Sequence, residues 1–189
     1  MKPFNAIATG VIGGFVGTAA MATFEAVWSS AVASSASDPA LRAEARTRLA
    51  NAGVGEGHWP QGEPRSHQRP LSASEEAADA LSRAVTGRTL RPASREKVGS
   101  LFHFAFGAAA GAVYGALSTT RAKPLVQAGR GTLYGAAVWL LADELAMPLT
   151  GFGDPPHRTP LRRHAYVLGA HLAYGFGLHA AARFARSYR

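Results

Sequence analysis

Apolar and polar positions along this chain separate into long blocks. Residues 4–32 carry a single charge, Glu25, and residues 101–118 (LFHFAFGAAAGAVYGALS) contain no Asp, Glu, Lys or Arg. At about 1.5 Å per helical residue, the second block covers roughly the 30 Å hydrocarbon core of a bilayer. Residues 131–152 form a third block, interrupted by Asp143 and Glu144, and residues 164–182 a fourth, uncharged except for its histidines. The pattern predicts an all-α, polytopic membrane protein: one membrane domain over 1–189, with four transmembrane helices at about 4–32, 101–118, 131–152 and 164–182. A secretory signal peptide is the rival reading of the first block, since Lys2 precedes it. The apolar core of such a peptide runs only about 7–15 residues, so a retained helix is predicted. A soluble helical bundle is the rival reading of the whole.

Small residues recur inside the blocks. Gly10, Gly14 and Gly17 in the first, and Gly107, Gly111 and Gly115 in the second, give faces without side chains, the device by which membrane helices bring their backbones together. In water each such glycine would weaken a helix by about 1 kcal/mol relative to Ala. In lipid the backbone must bond internally in any case. Pro148 removes a backbone donor and is expected to kink or end the third helix.

Residues 33–99 have a different texture, rich in Ser, Pro, Gly and mixed charge. Two short helices are predicted in this extramembrane loop. One spans about 38–51, with an Asp cap and Pro at the first helical position. The other spans about 74–86, with Glu75 and Glu76 in its first turn and Gly87 as its stop. Ala77, Ala78, Leu81 and Val85 give the second an apolar face suited to a membrane surface or to the bundle. Residues 53–70 read as loop.

Composition sharpens the picture where charge is concerned. The formal net charge is +8, with 20 Lys and Arg against 12 Asp and Glu; eight of the acids and ten of the bases lie within residues 38–97. There is no basic run interleaved with aromatics, so nucleic acid is not an expected partner. The lipid bilayer is. Short flanking segments carry seven basic residues on the side of the termini and three between the third and fourth helices, which predicts both termini in the cytoplasm. Cysteine is absent, which excludes disulfides, thiolate metal sites and a cysteine nucleophile.

The candidate chemistry lies in ionisable residues placed in apolar helices: Glu25, His103, Asp143, Glu144, His164 and His171. A charge at the bilayer centre costs several kcal/mol, so such groups face the bundle interior, pair, or line water. His164 and His171 are seven apart and share a helix face. Asp143 and Glu144 are adjacent, about 100° apart on an α-helix, so both can face one interior only if it is wet or the helix is distorted. Three readings follow. The groups may be wired to one another to fix helix register; they form a proton or ion conduit; or they bind a transition metal such as zinc, iron or manganese. No HExxH or ExxH spacing supports the metal, and no cofactor is assigned. His103 and His164 also suit hydrated positions at helix starts. His179, rotated about 80° from His171, reads as a surface residue. Trp28, Tyr114, Tyr134, Phe152 and Tyr166 read as interfacial anchors, and Trp139 as core.

The order of HFAFGAAAGAVYG at His103, WLLADELAMP at Trp139, a Pro-rich turn leading into RRHAYVLGAH at Arg162, and a basic C-terminal end resembles the YagU-type bacterial inner-membrane proteins. The AVTGR segment at Ala84 and the glycine-rich first helix ending EAVW extend the likeness; residues 33–70 are the least matched. The resemblance implies an integral cytoplasmic-membrane protein of about four helices and supplies no reaction, ligand or catalytic residue. No GxSxG, Walker or dinucleotide pattern occurs. The leading expectation is a structural or accessory helical bundle of the inner membrane, associated with a larger membrane complex or with further copies of itself.

Overall fold

The computed structural model describes residues 3–35, 73–118, 124–151 and 155–187. Among these residues the secondary structure is entirely helical. The helices are α1 (Pro3–Ser35), α2 (Ala73–Thr86), α3 (Pro92–Leu117), α4 (Pro124–Trp139), a π-helical segment (Leu140–Ala146), α5 (Met147–Thr150), a 3₁₀ turn (Pro156–Arg158) and α6 (Leu161–Ser187). The short helix expected at 38–51, the loop at 53–70, Phe152 and the bases Arg121 and Lys123 lie outside the described residues. Among the described residues two helices are long and apolar enough to cross a membrane, over Phe4–Val32 and Ser94–Leu117.

Helix boundaries follow capping chemistry more than hydropathy. The second apolar block was expected to begin its helix at 101, yet α3 begins at Pro92. Proline at the first helical position loses no hydrogen bond there, and the Ser94 and Arg95 amides donate to the Arg91 carbonyl. Pro148 does not end the third helix as expected. The chain stays helical to Thr150 and stops at Gly151, whose φ of 79° is left-handed. A proline ring inside an α-helix collides with the carbonyl four residues earlier, here that of Glu144. That carbonyl belongs to the π segment, where the Met147 amide reaches back five residues to the Ala142 carbonyl.

The chain divides into two compact units, Met1–Phe24 with His103–Arg189, and Glu25–Phe102. In the second unit, α2 ends at Gly87, whose φ is 70° and whose amide donates to the Arg83 carbonyl at 2.9 Å; glycine carries this left-handed C-cap at no steric cost. The buried Asp79 carboxylate accepts the Leu90 amide at 2.7 Å and stands 3.5 Å from the Arg95 guanidinium. A Cβ on Gly99 would run into Glu75. The inward side of α2 is therefore the acidic one, with Glu75, Ala78 and Asp79 buried, while Leu81 and Val85 of the expected apolar face are exposed. Hydrogen bonds to a turn and an ion pair decide this orientation, which hydrophobic periodicity does not register.

In the first unit the N-terminal part of α1, the C-terminal part of α3, α4 with its π extension, and α6 pack through glycine. A Cβ on Gly10 would strike the Gly111 carbonyl, one on Gly14 the Gly107 carbonyl, and one on Gly115 the Ala6 carbonyl. Gly13 and Gly17 lie against Leu178 and Tyr174 of α6 in the same way, and Gly131 and Gly135 of α4 against Gly175 and His171. The interior sets Met21, Ala170 and Leu178 beside glycine and polar side chains. Thr18 is 1% exposed, its hydroxyl donating to the Gly14 carbonyl one turn back at 2.9 Å, a bond that lets a hydroxyl sit among apolar atoms. Many large apolar side chains point outward: Ile12 is 54% exposed, Leu133 71% and Phe176 66%.

The glycine contacts generate a prediction. Gly111→Leu should destabilise the protein by about 1–3 kcal/mol, the usual cost of forcing atoms into a filled interface, because its Cβ would lie 2.7 Å from the Gly14 Cα. Gly129→Ala, where nothing lies within 4 Å, should be neutral or stabilising by up to about 1 kcal/mol. Unfolding curves of the two variants in detergent micelles check the contrast.

Candidate functional site

Four of the six ionisable residues picked out in the sequence meet between the π segment and α6. In a π-helix each amide bonds five residues back rather than four, so successive side chains are separated by a smaller angle than the 100° of an α-helix. This is how adjacent Asp143 and Glu144 both turn toward α6. His164 Nδ1 stands 2.6 Å from Glu144 Oε1, and His171 Nε2 stands 3.1 Å from Asp143 Oδ2. The two histidines are a heptad apart and rise about 10 Å along the helix.

Each imidazole is also tied to a backbone carbonyl by its other nitrogen. His164 Nε2 donates to Pro156 at 3.1 Å, and His171 Nδ1 donates to Val167 at 2.9 Å. A carbonyl oxygen only accepts, so the nitrogen facing it carries a hydrogen; that assigns the tautomer from the partners. The remaining nitrogen of each ring then faces a carboxylate oxygen. Two lone pairs do not bond, so the 2.6 Å contact of His164 with Glu144 needs one more proton, held on the ring or on the acid. The outer pair is thus a short hydrogen bond, whereas the inner contact at 3.1 Å lacks hydrogen-bond geometry at Asp143 Oδ2. Trp139 closes the outer pair, its ring edge-on to His164 at 6.4 Å between centroids.

The other two residues sit apart from this description. Glu25 is buried and belongs to the second unit, and His103 is half-buried at the start of the first unit's part of α3. Among the described residues no three His, Asp or Glu side chains converge as a metal ion would need.

Several residues expected at surfaces lie inside the first unit. Tyr114 and Tyr166 are 5% and 4% exposed, and His179 is 8% exposed. His179 was expected at a surface; instead its Nδ1 shares a hydrogen bond of 2.6 Å with the Tyr114 hydroxyl. The Tyr134 and Tyr174 hydroxyls donate to the Ala110 and Gly107 carbonyls of α3 at 2.6 and 2.7 Å. The physical reason is the glycine packing: helices this close put a tyrosine hydroxyl within reach of the neighbouring backbone, and burial with a satisfied hydroxyl then competes with the interface. The sequence signal for the tyrosines was their position beside the glycine repeats, as in Tyr114-Gly115, Tyr134-Gly135 and Tyr174-Gly175.

The inner pair can be measured as a coupling. His171→Ala should cost about 1–3 kcal/mol, because the Asp143 oxygen loses its partner in a poorly hydrated place. Combined with Asp143→Asn in a double-mutant cycle, it should show a coupling of at least about 0.5 kcal/mol. Reversible unfolding in mixed micelles supplies all three values; additive losses would mean that the two side chains do not interact.

Compared with protein-family models, curated proteins and solved structures, the chain matches none.

Proposed function

We propose that the chain is a four-span integral protein of the bacterial cytoplasmic membrane, with both termini in the cytoplasm, serving as a non-catalytic structural or accessory helical bundle. The observation that carries this reading is the exposed apolar surface of the first unit. Its helices meet through glycine, with Thr18, tyrosines and histidines buried beside Met21 and Leu178, while Ile, Val, Leu or Phe side chains on every long helix are exposed. A soluble protein rarely exposes contiguous apolar surface beyond a few hundred Å²; lipid makes the same surface favourable and leaves close packing and interhelical hydrogen bonds to hold the helices. The resemblance of the residues around His103, Trp139 and Arg162 to YagU-type inner-membrane proteins supports the same location.

The partner reading changes in one respect. The glycine faces of α1 and α3 are occupied by each other and by α6, so they do not await a partner helix. A larger membrane complex or a second copy would meet the outer surface of Ile, Leu and Phe side chains.

The absence of cysteine makes topology directly testable. His157→Cys and Ser187→Cys, both at exposed positions, should label from opposite sides of spheroplast membranes: His157→Cys with an impermeant maleimide outside, Ser187→Cys only after permeabilisation. The protein should also stay in the membrane through an alkaline carbonate wash. Release by carbonate, or equal labelling of both positions in intact spheroplasts, would overturn the four-span reading.

A further inference from the structure

We propose that His164 is a proton-dependent clasp, which holds the Pro156–Arg158 turn beside the π segment at low pH and releases it as the pH rises. The inference goes beyond a structural role and needs no membrane, which decides only the side on which the pH is read. It rests on a count of hydrogens. His164 meets two acceptors, Glu144 Oε1 at 2.6 Å from Nδ1 and the Pro156 carbonyl at 3.1 Å from Nε2. Holding both takes two hydrogens between the ring and the acid, whereas a neutral ring beside an ionised acid has one. Among the described residues, His164 makes the only hydrogen bond that ties the 3₁₀ turn to a side chain beyond it.

With one hydrogen left, the ring keeps the acid and drops the turn. An N–H bond to an ionised carboxylate is about twice as strong as one to a neutral carbonyl. The Pro156 carbonyl also keeps the Thr159 amide at 3.1 Å, whereas the Glu144 carboxylate has no second hydrogen bond among the described residues. Nδ1 therefore retains the hydrogen, and Nε2 turns a lone pair toward the carbonyl oxygen. Closing takes up one proton, so acid favours the closed turn; the ratio of closed to open falls by up to about tenfold per pH unit, the limit for one proton. Solvent reaches both side chains without unfolding, since they are 18% and 14% exposed. The other groups around the clasp do not supply the missing hydrogen. Trp139 of α4 meets the ring edge-on and is uncharged. Asp143 of the π segment stands 3.1 Å from His171, and α5 carries no ionisable side chain. Arg158 in the turn, and Arg162 and Arg163 on α6 itself, keep their charge at any ordinary pH; His157 is exposed.

The test places a nitroxide on the full chain through His157→Cys, a unique label because the chain has no other cysteine, and one that removes the turn's own imidazole. Spin-resonance spectra are recorded in detergent micelles from about pH 5 to about pH 9, which brackets the ordinary imidazole transition. The nitroxide should be held at the acid end and mobile at the other, with the closed-to-open ratio falling by about tenfold per pH unit through the transition. Glu144→Gln in the same background should stay closed throughout, because its amide donates to Nδ1 of a neutral ring and leaves the Nε2 hydrogen for Pro156. Nitrogen NMR of the wild-type protein carrying 15N-labelled histidine needs no variant: above the transition the remaining ring hydrogen of His164 should be on Nδ1. A line shape that does not change with pH, a ring hydrogen that stays on Nε2, or a Glu144→Gln turn released at high pH would each overturn the clasp. A protein that proves soluble without detergent overturns the membrane reading instead, and gives the same spectra in buffer.

Discussion

Everything in the first unit depends on how closely its helix backbones approach. Gly10, Gly14, Gly107, Gly111 and Gly115 bring α1 and α3 to the point where a single Cβ would strike a carbonyl oxygen, and Gly131, Gly135 and Gly175 do the same for α4 and α6. Glycine brings no apolar side chain of its own to bury at these contacts. What remains is dispersion, summed over many atoms at contact distance, and hydrogen bonds that cross the gap. Both grow only when backbones are close.

Close approach then determines which polar groups can be buried. The tyrosine hydroxyls of Tyr134 and Tyr174 reach carbonyls of α3 that already accept an amide within their own helix, using the second lone pair. Tyr114 meets His179. These bonds also fix rotation and register, because an aromatic side chain placed one residue along would meet a different part of the neighbouring helix. The bundle therefore sets directional polar contacts beside an apolar cluster of Met21, Ala170 and Leu178.

The π segment is the exception to this regular packing. It follows directly on the tight contact of α4 with α6, and it is followed by Pro148, whose ring an ordinary α-helical turn could not accept beside the Glu144 carbonyl. Widening the turn accommodates the proline and rotates Asp143 and Glu144 toward the same neighbour. One local distortion thus accommodates the proline and turns both acids toward α6.

The amino-acid sequence by itself determined where the helices are apolar, which faces are small, and that Asp143, Glu144, His164 and His171 are the ionisable groups to be accounted for, because these follow from local composition and the 100° period of the helix. Caps such as Gly87, at the end of α2, were legible for the same reason: the left-handed conformation is a property of the residue. The start of α3 at Pro92 was hidden, since the search for an apolar run passes over the polar turns that precede it. Only the tertiary structure decided which acid meets which histidine, that Tyr114 and His179 are buried partners, and that α2 turns its acidic side inward. Those outcomes depend on the relative rotation of elements far apart in the chain, and a helical period fixes a residue's place on its own helix without saying what stands opposite.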